Sequence, residues 1–276
     1  MPPPRVGRPY RAPVLRALIV LPAWNEEQAL GGVLRELAAT LPGTDVLVVD
    51  DGSTDGTRGV AQLADVPVLS LPYNLGVGGA MRAGFLYAER HAYDAVVQVD
   101  ADGQHDPADV PRLLAGLADA DIVIGARFAG VGGYLVRGPR WWAMRLLARS
   151  LSRRAGVPLT DVTSGFRATS RRAVRLFAAT YPAEYLGDTV ESLTMATKAG
   201  LVVRQVPVAM RPRSHGNPSQ SPLKAAVYLS RAILALGLAS VRRRPDPLLL
   251  TEAAPSSVAE RGVAGHPGVA ARERTS

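Results

Sequence analysis

The chain contains no cysteine, which excludes disulfide staples and thiolate zinc sites. That absence fits a reducing compartment. Aromatic residues make up only 5% of the chain, too few to interleave with its basic residues as base-stacking platforms, and no nucleic-acid recognition motif is present. No clean apolar run reaches the roughly 20 residues that a membrane-crossing helix needs. The N-terminus is rich in Pro and Arg with no apolar run before the first strand, so no secretory leader is expected.

Acid is also missing from whole segments. Arg137 to Arg154 holds six arginines and no Asp or Glu, and Arg204 to Arg244 holds eight Lys or Arg and again no acid. Residues 1–16 add four arginines. Over 276 residues the formal net charge is +8. Such one-signed surfaces imply an anionic partner: a phosphate, a lipid headgroup or a nucleic acid. A content of 47% hydrophobic and 20% charged residues fits a globular chain with one large domain or two small ones.

What is present is an alternation of apolar runs and amphipathic stretches. Ala17–Leu21, Asp45–Val49, Val66–Leu69, Ala95–Val99 and Asp121–Ile124 read as strands. Glu26–Ala39, Thr57–Ala64, Gly76–Glu89 and Pro107–Leu117 read as the helices between them. The pattern predicts a mostly parallel sheet with helices on both faces, and such sheets bind ligands at the carboxyl ends of their strands. After Gly130 the pattern loosens. Trp141–Arg154, Arg171–Ala178 and Glu191–Ala199 read as helices and Leu201–Met210 as a strand. Residues 1–14, with five prolines, read as a flexible arm. Leu223–Val241 reads as an apolar helix carrying Lys224 and Arg231, and 245–276 as a disordered tail.

Two strands run straight into acids. Val96–Val99 delivers Asp100-Ala101-Asp102-Gly103-Gln104, and Val46–Val49 delivers Asp50-Asp51-Gly52-Ser53-Thr54-Asp55. On an extended segment Asp100, Asp102 and Gln104 point to one side, which suits Mg2+ or Mn2+ together with phosphate oxygens. The plain alternative is an acidic turn. A carboxylate after the second strand accepts hydrogen bonds from a base or ribose, and Ser53 suits a cap for the next helix. Asn74-Leu75-Gly76-Val77-Gly78-Gly79-Ala80-Met81-Arg82 opens a helix with three glycines, whose amides suit a phosphate. Alone it matches neither a P-loop nor a dinucleotide fingerprint.

Together these residues resemble the family 2 glycosyltransferases of GT-A fold, in the branch of polyprenyl (dolichyl) phosphate mannose or glucose synthases. The resemblance covers residues 17–215. It implies an α/β fold of GT-A type and an inverting hexosyltransferase. It puts Pro22, Ala23, Trp24, Asn25, Glu26, Asp51, Ser53, Gly76, Gly79, Arg82, Asp100, Ala101 and Asp102 against the nucleotide sugar. It puts a divalent ion on Asp102 and Gln104, with Asp100 close by. Gly125-Ala126-Arg127 looks like the family's Gly-Ser-Arg element, with Arg127 facing a phosphate. Ser164-Gly165-Phe166-Arg167 is typical of the branch. Arg213, Gly216 and Ser219 fit a downstream phosphate element, but its lysine is missing.

The implied reaction moves a hexose from a GDP- or UDP-sugar to a polyprenyl phosphate. Asp102 and Arg127 would face the departing diphosphate. Arg127, Arg137, Arg140, Ser164, Arg211, Arg213 and Ser219 are the candidates for the acceptor phosphate. Asp188 or Glu191 is the candidate base if the acceptor is a hydroxyl. The expected layout is a catalytic domain over 15–222 followed by a helix over 223–244 lying in the membrane interface. The expected setting is the cytoplasmic face of the membrane, with a membrane partner protein or a homo-oligomer possible. A nucleotidyltransferase is disfavoured because the segment after the first strand is acidic rather than Gly-, Arg- and Lys-rich. Nucleic acid is disfavoured as a partner because the acidic strand ends would repel it.

Overall fold

A computed structural model describes residues 15–126, 139–182 and 188–211. Its centre is a seven-stranded sheet in the order β3-β2-β1-β4-β6-β5-β7. The strands are β1 (Ala17–Ala23), β2 (Asp45–Asp50), β3 (Val68–Ser70), β4 (Ala95–Gln98), β5 (Ile122–Ala126), β6 (Arg167–Ser170) and β7 (Val203–Pro207). All neighbours pair in parallel except β6, which runs antiparallel to both β4 and β5. The helices are α1 (Glu27–Thr40), α2 (Thr57–Leu63), α3 (Gly76–Arg90), α4 (Val110–Ala115), α5 (Pro139–Ala155), α6 (Arg171–Thr180) and α7 (Asp188–Lys198).

The alternation of β1 shows why this is a three-layer fold. Leu18 and Val20 join one buried cluster with α3, α5, α6 and α7, while Ile19 and Leu21 join another with α1 and α4. Successive strand side chains point to opposite faces, so a strand apolar at every position must be covered twice. Fully burying each such Leu or Ile contributes about 1.5–3 kcal/mol. Gly84 on α3 lies directly over Val20, where an added Cβ would come within 2.6 Å of its Cγ1.

The expected parallel sheet with helices on both faces is present. Three details differ from expectation. β6 was not foreseen, and it is wedged between β4 and β5, so those two strands are not neighbours. The helix expected over 107–117 is broken into Val110–Ala115 between two 3-10 turns. The helix expected from Glu191 begins three residues earlier, at Asp188. The expected helix over Leu223–Val241, the arm over 1–14 and the tail over 245–276 lie outside the described residues.

Candidate active site

The carboxyl ends of β1 and β2 meet in register, Ala23 opposite Asp50, and the Asp51 N–H donates to the Ala23 carbonyl at 2.8 Å. Past that point the two loops are stitched by side chains. The Asn25 N–H donates to Ser53 Oγ at 3.0 Å, and the Thr54 N–H donates to Asn25 Oδ1 at 2.9 Å. The Glu26 N–H donates to Thr57 Oγ1 at 2.8 Å, and the Gly56 N–H to Glu27 Oε2 at 2.5 Å. Asn25 adopts φ +55°, a conformation Asn tolerates better than most residues. The stitched rim leaves Trp24 52% exposed. Ser53 therefore spends its oxygen on the β1 loop rather than capping α2. Asp55 takes the role near that helix, accepting from the Thr57 N–H at 3.0 Å.

Asp51 is buried, and its Oδ1 accepts the Leu75 N–H at 2.7 Å. Burial pushes its carboxyl above the ordinary value, against the pull of the Leu75 and Gly76 amides, and the charge of Asp50 adds to the rise. Asn74 Oδ1 accepts the Gly76 N–H at 3.0 Å. Two amides at the opening of α3 are thus committed to protein side chains. Gly52 makes the approach possible, because at φ +69° an added Cβ would sit 2.6 Å from the Tyr73 carbonyl carbon. Gly79 is a packing glycine, filled from the side by Leu75. Arg82 is exposed and reaches the Ala179 carbonyl at the end of α6, 3.4 Å away.

The acid segment after β4 is not extended. The strand stops at Gln98, residues 101–103 form a turn, and Gly103 takes φ +78°. Simple alternation therefore does not set this segment; the turn brings Gln104 to Asp102, while the Asp100 carboxylate faces Gln98 and His105. The Gln104 N–H donates to Asp102 Oδ1 at 3.0 Å, and Gln98 Nε2 donates to Asp100 Oδ1 at 3.1 Å. Asp102 is 5% exposed. Gln104 Nε2 donates to the Arg211 carbonyl at 3.4 Å, which commits the donor end of the amide to protein.

A second loop, 161–166, presses on this turn. An added Cβ on Gly165 would lie 2.8 Å from Gln98 Nε2 and 3.2 Å from Asp100 Oδ1. Phe166 stacks on His105 with ring centroids 4.6 Å apart. The loop is held by Arg167, a buried arginine: Nε donates to the Ser164 carbonyl at 2.7 Å, and Nη2 to the Val162 carbonyl at 2.9 Å. Nη1 donates to the Thr189 carbonyl at 3.1 Å and to Ser192 Oγ at 3.3 Å, so the first turn of α7, with Glu191, is tied to the same loop. Ser164 is itself buried, its Oγ accepting from the Phe166 N–H at 3.3 Å.

Arg211 closes the other side. Its Nη1 lies 2.6 Å from Glu36 Oε1 on α1 and its Nη2 lies 2.7 Å from Asp106 Oδ2. Burial opposes ionisation of Asp106, but the Ala108 amide and the Arg211 guanidinium outweigh it and hold the carboxyl below its ordinary value. The Glu36 hydrogen bond leads the causes that raise Arg211.

The structure thus gathers Pro22, Ala23, Trp24, Asn25, Glu26, Asp51, Ser53, Asp100, Ala101, Asp102 and Gln104 along one edge of the sheet, with Gly76 beside Asp51. Arg82 reaches the last turn of α6. On the backbone, Arg140 falls in the first turn of α5 and Asp188 opens α7. Arg127, Arg137, Arg213 and Ser219 lie outside the described residues. Sequence reasoning assigned no role to His105, Glu36 or Asp106, and none to Arg167 beyond its place in a motif. Only Arg167 carried a signal, as a charge inside a short segment flanked by buried apolar residues.

The donor set fits a hard divalent ion. Among the described residues no group of three or more His, Cys, Asp and Glu is placed to hold a metal ion by itself. A carboxylate and an amide on one turn, Asp102 and Gln104, suit Mg2+ or Mn2+ when a substrate's phosphates fill the other positions.

Comparison with known proteins agrees with this fold. The family model for glycosyl transferase family 2 matches residues 18–177. An undecaprenyl-phosphate mannosyltransferase of Micrococcus luteus is 36% identical over 217 residues, covering 75% of this chain and 88% of that protein. A polyprenol monophosphomannose synthase of Mycolicibacterium smegmatis is 34% identical over 229 residues, covering 78% of this chain and 86% of that protein. Among solved structures, glucosyl-3-phosphoglycerate synthase from Mycobacterium tuberculosis with phosphoglyceric acid superposes with a TM-score of 0.63 at 25% identity, over 83% of this chain and 81% of that one.

Proposed function

The chain belongs to glycosyl transferase family 2 and is a hexosyltransferase, and we propose that it moves a hexose from a GDP- or UDP-sugar to a polyprenyl phosphate at the cytoplasmic membrane surface. The observation that carries this reading is the Asp102–Gln104 turn at the carboxyl end of β4, beside the stitched β1 and β2 loops. The names of the relatives, two of which are polyprenyl- or undecaprenyl-phosphate mannosyltransferases, support the acceptor.

Asp102 and Gln104, with Asp100 alongside, would hold Mg2+ or Mn2+. When bound, that ion offsets the charge that grows on the departing nucleoside diphosphate. The stitched rim with Trp24 holds the nucleoside end. A phosphate acceptor already presents an oxyanion at neutral pH, since its second ionisation lies near pH ~6. It needs positioning and screening rather than a general base. The acid-free basic segment 137–154 suits that task, whereas Arg204 and Arg211 are already paired with Asp119, Glu36 and Asp106. Among the described residues no helix is long and apolar enough to cross a membrane. The basic helix expected over 223–244 would attach the enzyme to the lipid surface.

A hydroxyl acceptor is the second reading. Arg167 ties the first turn of α7, which carries Glu191, to the 161–166 loop, and Glu191 or Asp188 is then the candidate base. A transfer assay with a panel of radiolabelled nucleotide sugars separates the two. Labelled lipid from a short polyprenyl phosphate and none from the matching polyprenol supports the phosphate acceptor; the opposite result overturns it.

A further inference from the structure

Segments far apart in sequence converge on Gln104. His105 and Met210 form an antiparallel bridge, and the Arg211 N–H donates to the Gln104 carbonyl at 3.0 Å. Gln104 Nε2 returns a bond to the Arg211 carbonyl, across 107 residues of sequence. The Arg211 guanidinium then spans two carboxylates on two other elements, Glu36 on α1 and Asp106 at the end of the acid turn.

We propose that Arg211 is a positioning residue that latches the Gln104 turn to α1 and so sets where the Gln104 amide oxygen meets a divalent ion. The proposal rests on the metal site argued above. An arginine recruited to an acceptor phosphate would have to leave both carboxylates. Here Nη1 and Nη2 each hold one, at 2.6 and 2.7 Å. The planar fork matters, because its two ends reach opposite carboxylates at once, which a single ammonium cannot do with the same geometry. The Arg211 side chain is 39% exposed and its partners 38% and 29%. Pairs this exposed add little to global stability. Their contribution is geometric: without the guanidinium, Glu36 and Asp106 face each other as like charges, and the main-chain partner of the Gln104 amide loses its anchor.

The test uses the full chain and Mn2+ titration followed by the free-ion EPR signal, with and without UDP. Residues that orient a metal's ligands typically alter affinity by about 10–100-fold. R211Q is therefore expected to weaken Mn2+ binding by about tenfold, R211K and E36Q by less, with the thermal midpoint little changed. Acceptor KM at saturating Mn2+ should stay at the wild-type value in R211Q. Wild-type Mn2+ affinity in R211Q, or a raised acceptor KM at saturating Mn2+, overturns the latch. If R211Q does not fold, wild-type affinity in both R211K and E36Q overturns it equally. D102A in the same titration separates the two levels. Lost binding in D102A with normal binding in R211Q sinks the latch alone, whereas normal binding in D102A sinks the metal site and the latch with it.

Discussion

His105 holds the Asp100 backbone through Nδ1 and sets its other ring nitrogen near the Asp100 carboxylate. The Asp100 N–H donates to His105 Nδ1 at 3.0 Å, and His105 Nε2 lies 3.6 Å from Asp100 Oδ2. With Nδ1 accepting, the other ring nitrogen is the one that faces the carboxylate. The ring closes the acid turn from below and passes its position on to Phe166 by stacking at 13° between planes.

Replacing that ring should loosen the turn. His105→Ala removes a buried ring and leaves the Asp100 amide without its acceptor. We expect a loss of about 2–4 kcal/mol in unfolding free energy, measured by urea denaturation. A loss within ~0.5 kcal/mol, the range of ordinary surface substitutions, would show that the ring is not structural.

Arg167→Met tests the other wall. The substitution strands the buried carbonyls of Ser164, Val162 and Thr189. Each unsatisfied group costs about 1–3 kcal/mol, partly relieved by relaxation, so a net loss of roughly 2–4 kcal/mol is expected. Arg167→Lys should recover only part, because one nitrogen cannot face carbonyls on both sides of the loop. Equal stability of the Met and wild-type proteins in guanidinium would contradict the account.

Much of this was legible beforehand. Apolar runs gave β1, β2, β4 and β5, and acids following two of them marked the sheet edge where ligands bind. β6 was not legible, because Arg167-Ala168-Thr169-Ser170 has four residues and only one is apolar. Its arginine can sit inside because carbonyls and Ser192 Oγ satisfy it. The stitching of the β1 loop to the β2 loop was hidden for a related reason: side chains meet backbone groups 28 to 31 residues away, a relationship without a local pattern. Arg211 looked like a free cation inside an acid-free segment. Its partners lie 175 residues away at Glu36 and in the acid turn at Asp106. Charge counted along the chain says nothing about charge across the fold.

Asp55 gives a dependence on pH. Partial burial works against its ionisation, but hydrogen bonds from the Thr57 hydroxyl, the Thr57 amide and the Glu27 amide outweigh that and hold its carboxyl below the ordinary value. A depressed folded-state value means the contribution is complete above the unfolded value of ~3.9 and is lost as pH falls through the folded value. Asp55→Ala should therefore cost about 1 kcal/mol at pH 7, shrinking below pH ~4. Asp51, raised by burial, runs with the opposite sign: its charged form is disfavoured by folding, so Asp51→Asn should gain on wild type as pH rises through that region. Thermal melts from pH 3 to 7 check both slopes, and a gap for Asp55→Ala that widens in acid would contradict the assignment.

The most direct measurement is Mn2+-dependent transfer of radiolabelled hexose to a polyprenyl phosphate by Asp102→Ala, with circular dichroism confirming an intact sheet. Asp102 sits 5% exposed at the head of the turn that Gln104 completes. The account predicts a folded protein whose transfer rate falls by about 10²-fold or more, the scale of losing one preorganised charge contact at a developing anion. Wild-type transfer by the folded Asp102→Ala protein would contradict it.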